Sequence, residues 1–321
     1  MKLNLIEMNN SPKVSLLIRN LNEKSNLEIL FPILNKQDYP NFDIIFLDSG
    51  STDGSIKFVK NFKSNFNIKI DTIKEEDFSF GKALNICAGL TKNSDYLIAI
   101  SAHCFPQSEK FISNYVKNFK NYDCDILYGK QIGYTNSMLS EASHLNSWFD
   151  NDYGIKNPSP FSNNGNCGYR FEIWKEFKFD ESLTGCEDIN LASRALHEGK
   201  VIAYGEDIEV SHYHKESFEQ VYFRYYREAL ALSSIFTFKF TRSMFFKNLI
   251  KEVLRDIRYK LKYNKFESRK IIDIFRYRLK KNYGHFAGFK KRLYLQQKQL
   301  FYYTNQKNNE MSKALYNKYF Y

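Results

Sequence analysis

This 321-residue sequence has no stretch of about 18 uninterrupted apolar residues, which excludes a membrane-crossing helix. The first 20 residues show no basic start, apolar core or small-residue cleavage site, so no secretory signal is expected. Cysteine is sparse: five residues, an odd number, with no C-x-x-C pair. That argues against a disulfide framework and a cysteine-built zinc site, and a reducing cytosol is the expected compartment. Neither G-x-G-x-x-G nor G-x-x-x-x-G-K-[ST] occurs, which removes the dinucleotide and P-loop readings. What is present is globular, with 43% hydrophobic and 26% charged residues. The length suits one large domain, or one domain with an extension.

The net charge of +11 is unevenly spread. From Arg242 onward, 21 lysines and arginines stand against 5 acidic residues, whereas the preceding chain has 26 against 31. This tail has no proline, only Gly284 and Gly288 as glycines, and many aromatics, among them Phe245, Tyr259, Tyr277, Tyr294 and Phe301-Tyr302-Tyr303. Apolar residues three or four apart predict amphipathic helices over Phe245–Leu261 and Ile271–Lys281. Basic helices with aromatic faces suit an anionic membrane surface. The alternative is a helical extension packed on the body, its charges solvated. Nucleic acid would want the same charge, but no recognition motif is present and no nucleic-acid partner is expected.

The first half alternates strands and helices. Apolar runs at Val14–Ile18, Asp43–Leu47, Ile68–Ile73 and Tyr96–Ile100 read as strands. Leu27–Leu34, Ser55–Phe62 and Gly81–Leu90 read as helices. This order predicts a mostly parallel sheet with helices on both faces, whose ligands sit at the carboxyl ends of the strands. The polar residues there become the candidates: Arg19, Asn20, Asn22 and Glu23, then Asp48 to Ser55, then Ser101-Ala102-His103. Ser51 and Asp53 can simply cap a helix. Asp48 falls at the strand end, where a carboxylate can accept from a base N–H or a ribose hydroxyl.

The runs VSLLIRNLNE (Val14–Glu23), IIFLDSGSTDGS (Ile44–Ser55), FGKALN (Phe80–Asn85), YLIAISAHCFP (Tyr96–Pro106), NNGNCGYR (Asn163–Arg170) and FDESLTGCEDINLASR (Phe179–Arg194) stand in order. Together they resemble the inverting GT-A glycosyltransferases of family 2 over roughly residues 12 to 225. The resemblance implies an α/β GT-A domain at 1–225, Rossmann-like and mostly parallel, with a nucleotide-sugar half at about 12–106 and an acceptor half at about 107–225. A basic α-helical extension at 226–321 follows. It further implies that Arg19 and Asp48 hold the nucleoside, with Asn22, Ser51, Ser101, Ala102 and His103 as further donor-binding candidates, and that Lys82 lies near the donor phosphates, where a helix start favours anions.

Ser101-Ala102-His103 aligns with the family's D-x-D metal motif and departs from it at both carboxylates. Serine is a poor substitute, and histidine binds Mn²⁺ or a similar ion better than Mg²⁺. Two options stay open: a metal held by His103, with His212 and His214 as further ligands, or metal-independent catalysis with His103 or Lys82 as the cation. His212 and His214 follow a β-like run and would point the same way; they can instead bond a loop. Inverting transfer needs one base and stabilisation of the leaving diphosphate. The resemblance assigns the base to Asp188 and an orienting role to Glu187, although either can cap the helix they begin. Asn164, Gly165 and Asn166, in an amide-rich loop, are the acceptor-binding candidates. Trp148 and Phe149 suit a sugar face or a core equally well.

The expected activity is therefore transfer of a hexose or deoxyhexose from a nucleoside diphosphate to a glycan or lipid-linked oligosaccharide. The resemblance implies a bacterial role in capsule, lipopolysaccharide or exopolysaccharide assembly, at the inner face of the cytoplasmic membrane. The members it looks nearest to are rhamnosyltransferase-like. A nucleotidyltransferase and a non-catalytic scaffold are the alternatives. The first would want a glycine-rich loop after strand one, which Arg19–Glu23 lacks; the second would not need Asp188.

Overall fold

The computed structural model describes residues 11–236, 240–263, 271–291 and 306–320. The chain divides into two compact units. One holds the chain up to Gln131, then Asn151–Ser182 and Glu187–His212; the other holds Ile132–Asp150, Leu183–Cys186 and the chain from Tyr213. The expected single boundary at residue 225 is not where these units part.

The first unit is built on an eight-stranded sheet of order β3-β2-β1-β4-β9-β6-β10-β8. Its strands are β1 (Val14–Asn20), β2 (Phe42–Asp48), β3 (Asn67–Thr72), β4 (Tyr96–Ser101), β6 (Ile126–Tyr128), β8 (Gly154–Ile155), β9 (Asn166–Arg170) and β10 (Ile202–Tyr204). β1 pairs in parallel with β2 and β4, and β2 with β3. β9 enters antiparallel between β4 and β6. β1, β2 and β4 are apolar and almost wholly buried, which is why each reads as a continuous hydrophobic run. Helices α1 (Lys24–Leu34), α2 (Ser55–Asn61), α3 (Phe80–Gly89), α4 (Phe111–Tyr122), α6 (Phe171–Phe177) and α7 (Glu187–His197) flank it. Phe31 of α1 anchors one layer, its ring meeting Phe46, Phe58 and Phe62 edge-on. Of the remaining short strands, β5 (Cys104–Pro106), β7 (Gln131–Gly133) and β11 (Val210–His212), β5 and β11 pair antiparallel and set His212 opposite Cys104.

The second unit is helical: α5 (Leu139–Trp148), α8 (Phe218–Ile235), α9 (Arg242–Tyr263), α10 (Ile271–Lys290) and α11 (Gln306–Phe320). The tail's two glycines sit where α10 meets α8. A Cβ at Gly284 would stand 2.5 Å from the Tyr222 carbonyl oxygen, and one at Gly288 2.5 Å from that of Tyr226. Solvated charge is not the whole account of this tail. Arg278 is fully buried and grips Asp256 with two bonds, Nε to Oδ2 and Nη2 to Oδ1, both 2.7 Å. Lys281, also buried, pairs with Glu252. The reason is spacing: 252 and 256, like 278 and 281, lie on one face of their helices, so the pairs close the α9–α10 seam. Tyr294 and Phe301-Tyr302-Tyr303 lie outside the described residues.

Candidate active site

The β1 and β2 ends meet in one polar knot. Asp48 is fully buried: Asn20 Nδ2 donates to its Oδ1 at 2.7 Å, and the Gly50 and Ser51 amides donate to Oδ2 at 3.0 and 2.8 Å. Ser51 Oγ accepts from Asn20 Nδ2 and from the Asn22 amide, at 3.0 and 2.7 Å. Asp48's carboxylate thereby orders the loop after β2. Asn22 and Ser51 complete that loop, with Asn22 Oδ1 accepting from the Thr52 amide at 2.8 Å.

Helix α3 begins with Ser79 as its cap, whose Oγ accepts from the Lys82 amide at 3.1 Å. Lys82 Nζ pairs with Asp77 at 3.0 Å. Gly81 and Asn85, four residues apart, form the face that docks on residues 179–181. A Cβ at Gly81 would be 2.4 Å from the Asp180 carbonyl oxygen. Asn85 Nδ2 donates to the Phe179 carbonyl at 2.9 Å and to Glu181 at 2.8 Å. The FGKALN and FDES blocks are thus two halves of one contact, and Asp180 and Glu181 have structural work, Asp180 bonding the Ser182 amide at 2.9 Å.

Glu187 and Asp188 open α7. Cys186 before them takes φ 54°, the left-handed region, which turns the chain sharply into the helix. Glu187 Oε1 accepts from Arg19 Nη1 at 3.2 Å and from Asn164 Nδ2 at 3.0 Å. Arg19 also lies over the Phe80 ring, 5.0 Å from its centroid. Asp188 Oδ2 accepts from the Asn164 amide and Oδ1 from the Ile189 amide, each at 2.8 Å. Burial, then the neighbouring Glu187 charge, push the Asp188 carboxyl up to about 7, while those two amides and Arg19 pull the other way.

Asn164 therefore holds both acids. It is buried, and its Oδ1 accepts from the Tyr169 hydroxyl at 2.7 Å. Asn166 is likewise buried: its Oδ1 accepts from Tyr115 at 2.7 Å, and its Nδ2 donates to the Ile208 carbonyl at 2.8 Å. Gly165 is buried too, and its carbonyl accepts from the Ser101 amide at 3.4 Å. The expected acceptor loop is a buried brace. It runs from the Glu187-Asp188 pair to the Ser101-Ala102-His103 segment at one end of the sheet.

His103 and His212 stack, centroids 5.1 Å apart and planes at 17°. His103 Nδ1 faces Glu23 Oε1 at 2.9 Å, and His212 Nδ1 faces Gln131 Oε1 at 2.7 Å. Both partner oxygens can only accept, so in the neutral rings the proton sits on Nδ1 and the lone pair on Nε2. The two rings bring ligand nitrogens within 4.8 Å of each other. That donor set fits Mn²⁺ or a similar ion better than Mg²⁺. Gln131 Nε2 donates to Asn163 Oδ1 at 3.1 Å, so His212 is tied to the brace. Ala102 is buried and Ser101 half-buried. Gln131 escaped the sequence reading, and Tyr169 and Phe80 stand in family-like blocks without an assigned role; Glu23 is among the candidates that follow β1.

The second unit holds His214, whose Nδ1 meets Glu141 Oε1 at 2.9 Å. Burial would raise the Glu141 carboxyl, but Arg224 and His214 hold it well below the usual carboxylate range. Trp148 is core, its ring against His144 and Tyr319, and Phe149 is buried.

Comparison with known proteins shows the family and the fold. Residues 15–177 match the family described as glycosyl transferase family 2. The O-antigen chain rhamnosyltransferase RfbN of Salmonella typhimurium is 26% identical over 227 residues, 67% of this chain and 70% of that protein. WbaN of Salmonella anatum, also an O-antigen chain rhamnosyltransferase, is 23% identical over 61% of this chain, and the match spans 64% of its own length. Among solved structures, the Pyrobaculum calidifontis mannosyltransferase PcManGT in complex with GDP-Man and Mn²⁺ superposes with a TM-score of 0.55 at 14% identity, over 96% of this chain and 86% of that one. S. aureus TarS 1-349 in complex with UDP-GlcNAc gives 0.52 at 15% identity, over 88% and 93%. The fold is that of the GT-A glycosyltransferases, and the chain belongs to glycosyl transferase family 2.

Proposed function

We propose that this enzyme transfers a sugar from a nucleoside diphosphate, with inversion, onto a hydroxyl of a glycan in bacterial surface-polysaccharide assembly. The observation that carries the reading is Asp188: a buried carboxylate at a helix start, held by two amides and tuned toward neutrality. A base with that pKa is about half ionised at pH 7 and strong enough to take the acceptor's proton as its oxygen attacks the anomeric carbon. Arg19 and Asn164 fix Glu187 to orient the donor sugar or the acceptor. Asp48 acts on the nucleoside through the loop it orders, and Lys82, freed from Asp77, pairs with donor phosphate.

His103 and His212 would hold a divalent ion, manganese rather than magnesium; such an ion offsets charge on the departing diphosphate. By its spacing in the sequence, His214 stays a candidate third ligand. Metal-independent transfer, with His103 or Lys82 as the cation, is the second reading. It is favoured by the missing carboxylates at Ser101 and His103. Full activity in a chelator would decide for it, whereas loss in EDTA with recovery in Mn²⁺ decides for the ion.

The two O-antigen chain rhamnosyltransferases support a deoxyhexose donor and a glycan acceptor, and the basic aromatic tail suits an acceptor carried on a lipid. The enzyme would then work against the inner face of the cytoplasmic membrane. Among the described residues no helix is long and apolar enough to cross it. The test is Asp188→Asn: turnover should fall by about 10² or more, with the thermal shift given by nucleoside diphosphate-sugars retained. Near-normal turnover would remove Asp188 as the base.

A further inference from the structure

Helix α9 presents one apolar stripe outward: Phe246 is 61% exposed, Ile250 61%, Leu254 46% and Leu261 77%. Their spacings of four, four and seven keep them on one face. The carboxylates of the same helix, Glu252 and Asp256, are both turned inward and buried, on Lys281 and Arg278. The exposed charges of α9 are thus all cations: Arg242, Lys247, Lys251, Arg258 and Lys262. An apolar stripe among cations alone is what the burial of both acids creates, and composition does not reveal it.

We infer that α9 lies in the plane of an anionic lipid surface, with Ile250 and Leu254 in the headgroup–acyl boundary and the flanking lysines and arginines on lipid phosphates. Charge decides the occupant. A second copy would set cation against cation, and nothing on this face would answer a basic protein. An anionic membrane satisfies both the stripe and its rim. The inference deepens the proposed lipid-carried acceptor by naming the surface that reaches it. Its test reads binding, not transfer, so the two can fail separately.

The full chain should sediment with vesicles of phosphatidylglycerol and phosphatidylcholine in equal parts, and not with phosphatidylcholine alone. Added salt should weaken it. Ile250→Glu with Leu254→Glu should lower partitioning about tenfold or more, the factor implied by losing leucine-sized burial. Lys247→Glu with Arg258→Glu should lower it about fivefold or more for each cation. These side chains are exposed or at the rim, so Tm should not move, and an unchanged Tm certifies the fold. Equal sedimentation of wild type and the Ile250/Leu254 variant overturns the proposal. So does binding indifferent to anionic lipid. A dimer in light scattering that the same variant disperses, without vesicle binding, would assign the stripe to a second copy and overturn it as well.

Discussion

Asn164 holds both carboxylates through different atoms, and this makes its replacement informative. Asn164→Ala keeps the backbone amide on Asp188 but removes the Nδ2 bond to Glu187. It also strips the buried Tyr169 hydroxyl of its acceptor. A bond to a charged group contributes about 1.5–3 kcal/mol, and an orphaned buried hydroxyl costs about 1–3 kcal/mol. Glu187 keeps Arg19, which offsets part of the first loss. The expected destabilisation is about 2–4 kcal/mol, measurable by urea titration. Turnover should fall less than for Asp188→Asn, because the base keeps both its amides. Asn164→Asp adds a third carboxyl beside the pair, and should move the alkaline-rising limb of the rate profile upward in pH, since another negative charge disfavours ionised Asp188. Wild-type stability in Asn164→Ala, together with an unmoved pH profile in Asn164→Asp, would refute the clamp.

Two further outcomes concern the helical unit. Gly284→Ala gains about 1 kcal/mol of helix propensity, but its Cβ would meet the Tyr222 carbonyl oxygen at 2.5 Å. Backbone cannot swing away as a side chain can, so overpacking of about 1–3 kcal/mol should win and lower Tm. Arg278→Met leaves Asp256 buried and unpaired, and should cost about 3–5 kcal/mol. Adding Asp256→Leu should recover most of that loss; a strictly additive double variant would show that the pair is not coupled.

Strands β1, β2 and β4 were legible because each is buried on both sides and so spells a nearly unbroken apolar word, whereas the edge strand β3 was legible by its alternation, Ile68 and Ile70 against polar neighbours. The pair Glu187-Asp188 was legible because it sits at a helix start within a recognisable block. Side-chain direction was not legible. The loop Asn163–Asn166 has the composition of a sugar-binding turn, yet β9 carries Asn166 between β4 and β6, into the sheet, and Asn164 turns to the acids. Asp48 stands at the strand end, as read, but that its Oδ2 accepts two amides of the following loop was not legible. The Gln131–His212 bond spans 81 residues, and no local spacing foretells it. In the tail, counting charges could not tell Arg278 and Lys281, buried in pairs, from the cations α9 shows to solvent.

The central claim is that Asp188, ionised, is the base. The most direct measurement is kcat/KM for sugar transfer as a function of pH, which reports the free enzyme's base. Burial and Glu187 place its half-point near 7, so the rate should fall about tenfold for each unit of pH below that and level off above it. A profile flat through neutrality, with its half-point in the ordinary carboxylate range near 4, would contradict the account.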